Sequence, residues 1–128
     1  TAHIYTQARK ETDILLADNP NIVKVSLDEQ QLAIDFTRYI PYSSDLLHLY
    51  RHVGIYGFNT DILSALTDLQ PTENELNRRL EQMRWMDHHY RIKVGITSFD
   101  SLSVDTPADL QNVLHALHKQ NQSYNNLN

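Results

Sequence analysis

Asp105 lies in Val104-Asp105-Thr106-Pro107-Ala108-Asp109, a loop that runs straight into a helix start. The partial positive charge of a helix N-terminus favours an ionised carboxylate there. Magnesium takes one or two carboxylates plus substrate oxygens, and Asp105 is a donor of that kind. Local sequence favours a plainer role for it, support of the cap of the following helix. Arg38 follows a strand-like run, and its guanidinium could grip a carboxylate through two parallel hydrogen bonds. His52 opens the run Arg51–Phe58, RHVGIYGF, and brings an imidazole. Taken locally, an arginine at a strand end and a histidine at a strand start are more often surface or packing residues. The seven histidines include the pairs His48/His52, His88/His89 and His115/His118. None has a third ligand at a recognised spacing and the chain has no cysteine, so structural zinc is not expected.

The elements that must position these groups follow from periodicity. Val53, Ile55, Tyr56 and Phe58 predict a largely buried central strand. Its Gly54 and Gly57 mark a bulge or a place where a backbone or ligand comes close. Ala2–Thr6 alternates as a short strand, and Glu11–Ala17 has helical composition ending in the turn Asp18-Asn19-Pro20. Two alternating runs around Asp28–Gln31 predict a β-hairpin over about 22–37. Pro41 keeps Ile40 out of the helical region, and Ser43–Tyr50 has room for one or two helical turns. Ile62, Leu63, Leu66 and Leu69 set a helix over Thr60–Leu69, broken at Gln70-Pro71. Thr72 and Glu75 form a capping box before a helix over about 73–87. Arg91–Thr97 alternates as a further strand. Thr106 as N-cap, Pro107 at the first position and Asp109 in the first turn open the last helix, with Leu110, Val113, Leu114 and Leu117 as its buried stripe. Strands and helices intermixed with a hairpin predict an α/β fold, a mixed sheet with packed helices.

Composition sets the outer limits. The 128 residues form one domain over 1–118, with 119–128 expected as a polar, disordered tail. A net charge of −5 argues against a nucleic-acid surface, and no run is apolar for long enough to span a bilayer. The absence of cysteine fits a reducing, cytoplasmic setting. The chain begins at Thr1 without a methionine, as a trimmed or domain-sized product does.

RHVGIYGF resembles a signature segment of the 3-deoxy-manno-octulosonate (Kdo) cytidylyltransferases. NPNIVKVSLD at 19–28, FTRYIPY at 36–42, LEQMR at 80–84 and VDTPADL at 104–110 agree with that family in the right order. The resemblance covers roughly Asn19–Leu117 and corresponds to the second half of the enzyme. It implies the C-terminal half of a nucleotide-diphospho-sugar transferase, Rossmann-like fold, acting as a homodimer. It also implies transfer of CMP from CTP to Kdo, for lipopolysaccharide, with release of pyrophosphate. By the same resemblance Arg38, His52, Glu81 and Gln82 line the sugar-acid pocket. Asp105 helps hold magnesium, together with an aspartate from the family's first half that has no counterpart here.

Some positions depart from the family. FTRYIPY is one residue short, Arg78 replaces a glutamate, and Asn59 an arginine. Ser103 and His89 replace glycines, the second at a left-handed helix end. Nothing in Thr1–Lys10 resembles the family's glycine- and lysine-bearing phosphate loop, and all three glycines lie at or after Gly54. The first expectation is therefore an enzyme fragment that is inactive alone. The alternative is a non-catalytic interaction or dimerisation module derived from the family.

Overall fold

The computed structural model describes residues 2–10, 18–40, 50–98, 102 and 104–127. Strand β1 (Ile4–Lys10) alternates Ile4, Thr6 and Ala8 inward with Tyr5 and Gln7 outward, the period of a sheet with one covered face. The expected hairpin forms as β2 (Lys24–Leu27) and β3 (Ala33–Thr37). Its turn is held by Asp28, whose Oδ1 accepts from the backbone N–H of Gln30 and Leu32. Strand β4 (Tyr50–Phe58) carries RHVGIYGF. Helix α1 (Thr60–Thr67) and two short helices, α2 (Glu73–Arg78) and α3 (Gln82–Asp87), precede β5 (Ile92–Ile96) and the long α4 (Pro107–Asn126).

The strands order as β3-β2-β4-β1-β5, with β4 in the middle. The β1–β5 pair is parallel, and the pairs β1–β4, β2–β3 and β2–β4 are antiparallel. The mixed sheet is thus as the sequence predicts. Its two edges touch where Leu32, in the hairpin turn, bridges to Lys93 of β5. The core joins Ile4, Ala8, Val25, Phe36, Ile92 and Val94 of the strands to Leu66, Leu80, Met83 and Trp85 of the helical segments.

Several expectations are corrected. The single helix over 73–87 is two helices, because Arg79 turns into the left-handed region at φ 56°. That break lets Leu80, Met83 and Trp85 all reach the core, and the Glu75–Arg84 pair spans it. The capping box of Thr72 and Glu75 forms as predicted, and Thr72 Oγ1 also donates to Asp87 of α3 at 2.5 Å. Strand β4 is central but not buried; none of its residues is fully covered, and Ile55 points out from the open face of the sheet. The stripe on α4 is also open, with Leu110, Leu114 and Leu117 about half exposed because no described element packs over them. Residues 119–126, expected as a disordered tail, continue α4. The helical readings at Glu11–Ala17 and at Ser43–Tyr50, apart from Tyr50, which opens β4, lie outside the described residues, as does Ser103.

Candidate functional site

His52 sits on the covered face of β4, between aromatic rings. The Phe36 ring meets it edge-on at a 5.1 Å centroid distance, and Tyr56 lies tilted against it at 5.4 Å. Its Nε2 is 2.9 Å from Thr6 Oγ1. Burial disfavours the imidazolium and pulls the His52 pKa from 6.5 to about 4, so the ring is neutral at neutral pH. Tyr56 in turn meets Trp85 edge-on at 5.1 Å. Its hydroxyl is covered from solvent and has no hydrogen-bond partner among the described residues. Burial, and then the negative charge of Glu81, push the phenol pKa upward, so the group remains a protonated donor.

A cavity of about 260 Å³ opens beside this cluster, walled by Asn21, Arg51, His52, Gly54 and Asp105 among others. Gly54 meets no atom within 4 Å of where a Cβ would stand, so the close approach expected along the strand is not made there. The start of α4 brings Asp105 to the cavity. The cap itself is made by Thr106 and Asp109: Asp109 N–H donates to Thr106 Oγ1 at 3.1 Å, and Thr106 N–H to Asp109 Oδ2 at 3.0 Å. Asp105 adds its backbone N–H to the same Asp109 oxygen at 3.1 Å. That hydrogen bond, the first of several, holds the Asp109 carboxyl below the usual carboxylate range. The Asp105 carboxylate makes no hydrogen bond among the described residues, and the residue is exposed where it lines the cavity.

Arg38 lies in the wall of an adjoining cavity of about 510 Å³, with Asn77, Arg78 and Arg79. Asn21 lines both cavities. The Arg38 guanidinium donates from Nε to Arg78 O, from Nη1 to Pro20 O and from Nη2 to Arg79 O, each at 3.1 Å. Three of its five N–H groups thus tie the hairpin to the α2–α3 break, and two are left for an anion. The Arg78 side chain turns to β3, donating to Asp35 at 2.6 Å and to Phe36 O at 2.7 Å. The charge reversal at position 78 is therefore absorbed inside the chain.

The structure thus brings His52 and Asp105 to one cavity and Arg38 to the next. Glu81 is exposed at the start of α3, close enough for its charge to act on Tyr56. Gln82 is buried on α3 and lines neither cavity. For magnesium the fit is partial. Asp105 is an oxygen donor of the right kind, but no group of three potential ligands occurs among the described residues. The described residues do not hold the ion by themselves.

Sequence reasoning missed Thr6, Tyr56 and Lys24. Tyr56 carried a signal, being a polar-tipped ring in an apolar strand, which needs a partner when buried. Lys24 alternates with apolar neighbours in a way that marks only an edge; in the fold it is buried and donates to Asn19 O and Arg38 O, both at 2.6 Å. It thereby fixes the backbone from which Arg38 projects.

A five-stranded mixed sheet with helices over one face, and polar groups gathered at the start of β4 and of α4, define a mixed-sheet α/β domain. A family model described as "Cytidylyltransferase" matches residues 1–94, and the chain belongs to that family. Within it the similarity is to the 3-deoxy-manno-octulosonate cytidylyltransferases. The protein of that name from Parabacteroides distasonis is 36% identical over 105 residues, covering 75% of this chain and 42% of its own. That from Chloroherpeton thalassium is 41% identical over 109 residues, covering 82% and 44%. A solved structure of CMP:2-keto-3-deoxy-manno-octonic acid synthetase complexed with CTP superposes with a TM-score of 0.83 at 28% identity, over 94% of this chain and 51% of that one. The chain spans about half the length of the relatives it matches.

Proposed function

We propose that this chain supplies the sugar-acid side of a cytidylyltransferase site that joins CMP to Kdo. The observation that carries the reading is the shared cavity of His52 and Asp105, adjoining that of Arg38 through Asn21, in a chain of this family. Arg38 offers its two remaining N–H groups to the sugar carboxylate, and neutral His52 offers a hydrogen bond to a hydroxyl group. Glu81 joins them by resemblance, whereas Gln82, buried on α3, lines neither cavity. In the reaction the anomeric oxygen of Kdo bonds to the α-phosphorus of CTP, the bond to pyrophosphate breaks, and the hydroxyl proton is released. Magnesium, when bound, neutralises phosphate charge, and Asp105 is the donor this chain contributes to it. No described helix is long and apolar enough to cross a membrane.

No glycine precedes Gly54, so the 128 residues include no glycine-rich phosphate loop. Taken alone they are expected to bind Kdo without turning over CTP. With the 128-residue chain, magnesium, CTP and Kdo, pyrophosphate release is expected to stay at the no-protein level, while Kdo shifts the NMR signals of His52 and Arg38. Release above that level overturns the inactive reading, and unshifted signals overturn the sugar-acid reading.

A second reading, a non-catalytic module that assembles with a second copy, is favoured by the half-exposed Leu110, Leu114 and Leu117 on α4. The homo-oligomer belongs to both readings; Kdo binding separates them.

A further inference from the structure

β1 and β4 do not pair evenly. Thr6 faces Tyr56 and the next residue, Gln7, faces Val53, so Gly54 and Ile55 are extra residues opposite a single step of β1. An insertion of this kind bends its strand and leaves carbonyls outside the ladder. It also explains a contact that an even strand forbids. Residues four apart in an extended strand stand about 13 Å apart, yet the His52 and Tyr56 rings meet at 5.4 Å.

Thr6 reaches into the bulge from the opposite strand. Its side chain is buried, and its Oγ1 lies 2.7 Å from Ile55 O, 3.2 Å from Val53 O and 2.9 Å from His52 Nε2. A threonine hydroxyl has one proton to give and two lone pairs with which to accept. Both carbonyls can only accept, so the one Thr6 proton is directed at them. The contact with His52 must then run the other way, with Nε2–H donating to Oγ1. A neutral imidazole has a single N–H, so its Nδ1 carries a lone pair. Nδ1 has no hydrogen-bond partner among the described residues, and it is not among their covered, unpartnered atoms.

From this geometry we propose that Thr6 is a positioning residue: braced by the β4 bulge, it fixes His52 in the Nε2–H tautomer and leaves Nδ1 as a hydrogen-bond acceptor for a hydroxyl of the sugar acid. The last clause rests on the sugar-acid reading above; the tautomer does not. A depressed His52 pKa agrees with it, because a neutral ring is what the arrangement requires.

The test is a long-range ¹H–¹⁵N correlation on the full chain with ¹⁵N-labelled histidine at neutral pH, with His52→Gln to assign the signals. For His52 the expected pattern is a protonated-type Nε2 and an unprotonated-type Nδ1. Thr6→Val is expected to lose that pattern in favour of signals averaged over both tautomers, and Thr6→Ser to keep it. An Nδ1–H tautomer in the wild type overturns the proposal without any variant, whether or not Thr6→Val folds. A Thr6→Val spectrum identical to the wild type overturns it as well. Added Kdo is expected to shift the Nδ1 signal. The Nε2–H pattern with an Nδ1 signal that Kdo leaves unmoved keeps the role of Thr6 and refutes the sugar-acid reading, so the two failures are distinct.

Discussion

Burial of His52 makes a specific demand on acid stability. Its imidazole titrates near 4 in the folded chain, against an ordinary 6.5. Between those values the unfolded chain holds a proton that the folded chain does not, so folding weakens as pH falls. Above pH 6.5 the residue is neutral in both states and contributes no slope. Each unit of separation is worth about 1.4 kcal/mol, so the loss is about 2 kcal/mol at pH 5 and about 3 kcal/mol near pH 4. Against a total stability of about 5–15 kcal/mol for a domain, that is a large share. Asp109 and Glu75, whose carboxyls are held low by their hydrogen bonds, add acid losses of their own. The measurement is therefore a difference: urea unfolding of the wild type and of His52→Gln at pH 7, 6, 5 and 4. Glutamine has an N–H for Thr6 and no titration in this range. The gap between the two proteins is expected to shift by about 2 kcal/mol in favour of the variant from pH 7 to pH 5. A gap that stays level across that interval refutes the picture of a buried, neutral His52.

Two further outcomes follow from backbone geometry and from the open helix face. His89 ends α3 at φ 68°, where a Cβ is strained; His89→Gly is expected to stabilise the fold by about 1 kcal/mol, read as a higher urea midpoint at unchanged slope. Leu114, half exposed in the middle of the α4 stripe, is expected to lie in a contact between copies. Light scattering should find the wild type associated and Leu114→Glu monomeric at the same concentration; a monomeric wild type refutes that contact.

What could be read in advance divides along the length scale of the interactions. The hairpin, the capping box at Thr72, the N-cap at Thr106 and the strand at 92–96 are set by residues within a few positions of one another, and all form. The helix break at Arg79 is not local. It depends on Leu80, Met83 and Trp85 finding the same core and on Arg84 crossing to Glu75 at 2.6 Å, and helical spacing alone gives no hint of it. The α4 stripe carries a helical apolar pattern, but pattern says which side is apolar and not what covers it. For the site, the family resemblance pointed to His52 and Asp105, which share a cavity. It could not show that Arg38 spends three donors on carbonyls, nor that Thr6, 46 positions from His52, sets the ring's surroundings.

The Arg38 clamp also bears on the order in which the chain assembles. One side chain closes spans of 18, 40 and 41 residues at once, to Pro20, Arg78 and Arg79. Closing long loops costs entropy before any bond is gained, so contacts of this kind favour the late, downhill side of the folding barrier. The hairpin and the capped helices can form first from their own neighbours, and the guanidinium then locks them together. Shortening Arg38 should accordingly steepen escape from the native state while leaving the speed of its formation nearly untouched, a change on the unfolding limb of a chevron.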